Sequence, residues 1–200
     1  MATQYAAARY LKRFLNNQFL ENTMSKFYES GFDPEDVSIK VSELLVATAD
    51  GSDELIDSTV GEVLSLLRQR LALDVVFVSE FVNGERVFRY VESNGNSQSP
   101  SEGDSDLLED TWCQRVVDGR LPEYIADVSK FDRKADMPAV AFPINAYLST
   151  PIVLQGGKVY GTLCCYSANA NDVLQQRDMK NLRSAAQLVA RNIQRNQLPI

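Results

Sequence analysis

Residues 146–166 read AYLSTPIVLQGGKVYGTLCCY. Two apolar runs, Tyr147–Leu154 and Val159–Tyr166, flank Gln155-Gly156-Gly157, and paired glycines accept the positive φ values that tight hairpin turns need. The pattern predicts an antiparallel hairpin. On its second strand Val159, Gly161, Leu163 and Cys165 alternate with Tyr160, Thr162, Cys164 and Tyr166, so the two sets belong to opposite faces. Neither set is polar enough to stand bare in water, and both sides of the sheet therefore need a cover. A second hairpin is predicted upstream. Val75-Val76-Phe77-Val78 is a short branched apolar run, Asn83-Gly84 is a two-residue turn signal, and Arg86–Glu92 forms the return strand. Residues 93–105, SNGNSQSPSEGDS, contain no apolar residue and read as a loop.

The covering elements follow from the helical period. Ile56, Val60, Val63, Leu64, Leu67 and Leu71 make one stripe. A final helix over Asp172–Asn196 carries Leu182, Ala185, Ala186, Val189 and Ile193. A third helix is expected from Asp106, which with Glu109 resembles a capping box, to Gly119. Tyr124–Val128 reads as a short strand, and 129–145, with Pro138 and Pro143, as irregular or a short helix. Ahead of all this, Leu11, Phe14, Leu15 and Phe19 begin an amphipathic helix that stops at Gly31. Asp33-Pro34 then caps another, with Val37, Val41, Leu44 and Leu45 on one face. Helices, hairpin, helix, short strand, hairpin, helix is the order of an α+β fold with a mostly antiparallel sheet.

The chain has 200 residues, a net charge of −7 and no histidine. That size buries a real core. The acidic balance argues against a nucleic-acid partner, and the missing histidine removes the commonest metal ligand and the usual general base. Three cysteines, two of them adjacent, are no disulfide framework and fit a reducing, cytoplasmic compartment. No export signal opens the chain, and no run approaches the roughly 20 apolar residues of a membrane span.

Two stretches resemble one family when read together. Residues 110–128, DTWCQRVVDGRLPEYIADV, resemble the helix, Gly-x-x-Pro turn and short strand of GAF domains in bacterial sensor proteins. Residues 146–166, with Pro151 and Gly161, resemble the closing hairpin of the same domains. The resemblance covers about residues 53–196. It implies a GAF/PAS-like central antiparallel β-sheet with the terminal helices on one face and a pocket on the other. The expected organisation is an N-terminal helical extension over 1–50 and a GAF-like domain over 51–200.

Catalysis finds little support. No phosphate-binding glycine loop, nucleophile elbow, HExxH or Cys-x-x-Cys occurs, so no catalytic residue, metal or cofactor is expected. One GAF enzyme class reduces free methionine sulfoxide with cysteine thiolates. Cys164 and Cys165 are adjacent in a strand and point to opposite faces, and Cys113 is distant in sequence, so these cysteines read as small buried hydrophobes. Covalent bilin attachment is set aside as well. Asp127 stands where bilin-binding relatives carry an Asp, but 129–145 has neither Cys nor His. What remains is a non-catalytic sensory module. The side chains expected to line its ligand pocket are Trp112, Cys113, Ile125, Asp127, Phe142, Tyr147, Ser149 and Cys164. The alternative is a protein-interaction or dimerisation module whose pocket is filled. The apolar excess on the helices predicts a homodimer seam containing Leu11, Phe14, Leu64, Val189 or Ile193. Besides that second copy, the expected partners are a small-molecule ligand and a signalling protein.

Overall fold

The computed structural model describes residues 53–95, 99–132 and 137–196. The helices expected before residue 51, with Leu11 and Phe14, lie outside them. In chain order the elements are α1 (Asp53–Arg70), β1 (Val75–Val82), β2 (Glu85–Ser93), β3 (Ser105–Leu107), α2 (Trp112–Val117), β4 (Tyr124–Ile125), β5 (Ala146–Val153), β6 (Val159–Ser167) and α3 (Asp178–Asn196). The strands form one antiparallel sheet in the order β3-β2-β1-β6-β5-β4. Both predicted hairpins are present. Asn83 and Gly84 take φ values of 53° and 80°, the paired positive values that match the twist of a two-residue hairpin.

The alternation along β1, β5 and β6 sorts side chains into two cores. On one face Val76, Val78, Leu148, Ile152, Leu163 and Cys165 meet Val60, Val63, Leu64 and Leu67 of α1 and Leu182, Ala185 and Val189 of α3. Both long helices therefore share one side of the sheet, which leaves the other to α2 and the connections around it. There Phe77, Phe88, Tyr147, Cys164 and Tyr166 meet Trp112, Cys113, Val116, Ile125 and Val128.

Four local readings need correction. The helix expected from Asp106 is instead strand β3, a 3-10 turn over Leu108–Asp110, and a short α2. Ser105–Leu107 pairs with Glu85–Val87, and Thr111, not Asp106, caps the helix by accepting the Gln114 N–H at 3.2 Å. The predicted strand over Tyr124–Val128 is shortened to Tyr124–Ile125, because Asp127 caps a 3-10 turn at Val128–Lys130. The last helix starts at Asp178 rather than Asp172. Asn171 Oδ1 accepts the N–H groups of Val173 and Leu174, both at 3.1 Å, while its amide donates to the Leu71 carbonyl at 2.8 Å; the segment is held as a turn against the end of α1. Tyr160, expected beside Thr162 and Cys164, packs on the helix side. Ile152 pairs with Gly161 and Val153 with Val159, so Tyr160 is the extra residue of a bulge and leaves the alternation.

Two residues expected at a dimer seam lie inside the protomer. Leu64 and Val189 are 1% and 0% exposed, packed between helix and sheet, and so are not on the surface. Ile193 is half-buried against the same core.

Candidate functional site

The face of the sheet away from α1 and α3 carries a connected group of buried hydroxyls, thiols and aromatic rings. Register explains how they meet. Cys164 on β6 lies opposite Phe77 on β1 and Ser149 on β5, so all three project to the same side. α2 crosses that side, and its Cys113 reaches the strand residues. Cys113 and Cys164 Sγ atoms are 3.4 Å apart. Around them, Ser149 Oγ is 3.0 Å from Cys164 Sγ, and the Cys164 thiol donates to Thr162 Oγ1 at 3.1 Å. The Tyr147 hydroxyl lies 3.8 Å from Cys113 Sγ and 3.6 Å from Cys164 Sγ. Thr162 is in turn 2.9 Å from Ser79 Oγ. Every member is buried, and a buried hydroxyl or thiol needs such partners.

One cation enters this cluster. The Arg86 side chain is 7% exposed; its Nη1 donates to Cys113 Sγ at 3.9 Å and its Nη2 pairs with Asp106. The guanidinium lies 3.9 Å above the Phe88 ring and 5.6 Å from that of Phe77, a cation–π seat that stabilises a buried charge. Its Nε has no hydrogen-bond partner among the described residues.

The electrostatics separate the three cysteines. Burial pushes the Cys113 thiol up, but the Cys164 hydrogen bond, the Arg86 charge and the Thr162 and Tyr147 hydroxyls together outweigh it and hold Cys113 well below the ordinary thiol range. Burial and the Cys113 neighbour push Cys164 well above that range. The pair therefore carries its first negative charge on the sulfur beside the guanidinium. Cys165, on the opposite face among aliphatic side chains, is raised by burial alone.

Trp112 stands against Tyr147 edge to face, ring centroids 5.2 Å apart, and its indole N–H donates to the Pro138 carbonyl at 2.9 Å. Trp112 thus ties the connection before β5 to the cluster. Phe142 stacks on Tyr166 at 4.8 Å, beside a cavity of about 10 Å³ lined by Asp74, Val75, Ser99, Phe142, Pro143, Tyr166 and Ala168. That is space for about one water. The Tyr166 hydroxyl is buried and has no hydrogen-bond partner among the described residues.

Of the residues the sequence singled out for a pocket, Trp112, Cys113, Ile125, Tyr147 and Cys164 come together in one apolar cluster, with Phe142 packed at its margin and Ser149 hydrogen-bonded to Cys164. Asp127 stands apart from them. Its carboxylate accepts the Ser129 backbone N–H and hydroxyl and pairs with Lys130, and these bonds lower it to about 2. By its sequence pattern Arg86 is only the start of a strand. Its signal was present in the sequence: it is two residues from Phe88, in phase with a core aromatic. Cys113 is distant from the other cysteines in sequence, and the fold brings it into contact with Cys164.

A family model described as GAF domain matches residues 51–194. Comparison with curated proteins finds no match. Among solved structures, the GAF domain from an Acinetobacter phosphoenolpyruvate-protein phosphotransferase aligns at 15% identity and a TM-score of 0.60, over 84% of this chain and 99% of that one. A type II free methionine-R-sulfoxide reductase from Thermoplasma acidophilum aligns at 17% identity and 0.56, over 72% and 95%. The phycoerythrobilin-bound GAF domain from a cyanobacterial phytochrome aligns at 13% and 0.56, over 84% and 100%. At these identities the likeness is one of fold.

Proposed function

This chain belongs to the GAF domain family, and from that premise we propose that it is a non-catalytic sensory or regulatory module that binds a small ligand on the aromatic face of its sheet. GAF domains are sensory and regulatory modules, and one similar structure holds a bilin. The observation that carries the reading is the margin of the cluster. Phe142 and Tyr166 stack beside a small cavity, and the buried Tyr166 hydroxyl has no partner among the described residues. A ligand with a flat apolar body and one hydrogen-bonding group suits that pairing of surfaces. It enters by displacing the connection that Trp112 anchors through Pro138. Trp112, Cys113, Ile125, Phe142, Tyr147, Ser149 and Cys164 are the residues proposed to respond. Asp127 serves its own turn.

The signal is proposed to leave through the helices of a homodimer, with Leu11, Phe14 or Ile193 as its candidate seam residues, and to reach a signalling protein. The three free cysteines support a reducing, cytoplasmic setting. No described helix is long and apolar enough to cross a membrane.

The test is a thermal-shift panel of cyclic nucleotides, bilins, amino acids and aromatic acids on the full chain, read together with Trp112 emission. A ligand at a hundred times its Kd adds about 2.7 kcal/mol of stability and changes the emission of the sole tryptophan. A flat panel with unchanged emission sinks the proposal. That outcome favours the second reading, an interaction or dimerisation module with a filled pocket, which the near-complete burial of Trp112, Cys113, Ile125, Tyr147, Ser149 and Cys164 supports.

A further inference from the structure

Cys164 and Cys165 are neighbours in one strand and sit in opposite environments. Cys165 faces leucine, valine and alanine side chains, as expected of a cysteine that serves as a small hydrophobe. Cys164 meets a second thiol at 3.4 Å and two hydroxyls at 3.0 and 3.1 Å, and the thiol it meets accepts from a buried guanidinium. Apolar packing requires none of these groups. Their arrangement is that of a dithiol held ready to react: one sulfur beside a cation, the other in contact behind it.

We propose that Cys113 and Cys164 form a buried dithiol that a hydroperoxide converts to an intramolecular disulfide, with Arg86 as the positioning residue for Cys113. The proposal stands independently of ligand binding. In the first step the Cys113 thiolate attacks one peroxide oxygen and the O–O bond breaks. The departing hydroxide takes a proton to become water, and Cys113 becomes a sulfenic acid. In the second step Cys164 sulfur attacks Cys113 Sγ, the S–O bond breaks, and the leaving hydroxide takes the Cys164 proton as a second water. Two thiols lose two electrons, and one hydrogen peroxide becomes two waters. The route inward is short. Arg86 touches Cys113 with one terminal nitrogen and Asp106 with the other, and the Asp106 side chain is 52% exposed. The sulfur thus lies one guanidinium from the surface, and the oxidant is little larger than water. Closing the S–S bond to about 2.05 Å draws α2 toward β6. Trp112, adjacent to Cys113 and packed on Tyr147, reports the movement.

The experiment treats the reduced full chain with hydrogen peroxide at neutral pH, unfolds it, alkylates it with iodoacetamide and measures intact mass and peptide linkage. The expected result is a chain that has lost two hydrogens, takes up one carbamidomethyl group instead of three, and yields a Cys113–Cys164 cross-linked peptide. Cys165→Ser retains the linkage, and Cys113→Ser and Cys164→Ser lose it. Arg86→Met keeps the apolar stem and removes the charge. It should slow oxidation about tenfold at pH 6 and move the pH midpoint of the rate upward, since each unit of thiol pKa costs tenfold in thiolate; Arg86→Lys should restore part of the rate. Three alkylated cysteines after peroxide, a linkage through Cys165, or a linkage made by free methionine sulfoxide and not by peroxide overturns the proposal. An unchanged pH midpoint in a folded Arg86→Met variant overturns the role given to Arg86.

Discussion

Gly161 decides how closely β6 approaches β1. An alanine there would put its Cβ 1.9 Å from the Ser79 carbonyl oxygen and 2.9 Å from Glu80 Cα. Both are backbone atoms of the paired strand, and no rotamer moves them away. Gly161→Ala is therefore expected to cost about 3 kcal/mol, at the upper end of overpacking penalties, and to lower the urea midpoint accordingly; a midpoint within error of the parent chain refutes the argument. Buried titratable groups set a second residue-scale effect. Cys164, Cys165, Tyr147 and Tyr166 are all raised, chiefly by burial. As pH rises past 9.0 and then 10.0, the ordinary thiol and tyrosine values, the unfolded chain releases protons that the folded chain retains. Stability therefore falls with pH above about 9. Cys113 acts in the opposite sense. Its folded value is lowered, so its contribution is present above the ordinary thiol value and fades as pH drops toward the folded one. Melting temperatures across pH 6 to 11 should fall on the alkaline side, and Cys113→Ser should remove the rise that precedes the fall.

At the scale of the element, α2 holds one side of the cluster with only six residues. A helix that short has no stability of its own in water, so its ends and its packing hold it. Thr111 accepts the Gln114 N–H and donates its hydroxyl to the Leu108 carbonyl. Thr111→Ala is expected to cost about 1 kcal/mol, the usual value of an N-cap. It should also shift Trp112 emission, because the residue after the cap carries the indole. A normal melting curve with unchanged emission counts against the cap. The start of this element departs from its local sequence pattern for a tertiary reason. Asp106 and Glu109 have the spacing of a capping box, yet Asp106 pairs with Arg86 across a strand ladder, a partner that lies 20 residues away.

For the whole molecule, the two long helices are committed to the sheet. Leu64→Ala is expected to cost about 2–5 kcal/mol, as truncation of a buried leucine does, and to leave the association state of the folded chain unchanged. Val189→Ala should act in the same direction. Urea unfolding and light scattering at several protein concentrations check both. If either variant dissociates a dimer while its unfolding midpoint stays put, these residues belong to a seam after all.

Period and turn chemistry are local, and the sequence determined what is local: both hairpins, the helical stripes, the two-faced sheet and the opposed directions of Cys164 and Cys165. Glycines at 84, 156 and 157 take the positive φ values their turns require, and their places between apolar runs show the turns in the sequence itself. The tertiary structure decided contacts between residues far apart in the chain. Cys113 meets Cys164 across 51 positions, and Arg86 meets Cys113 across 27. Such meetings depend on register, and one bulge of a single residue changes the face on which a side chain emerges, as it does at Tyr160. Burial is likewise a property of the assembled layers. A stripe of leucines shows that a helix has a face to cover, but only the packed sheet shows that Leu64 and Val189 are already covered within the chain.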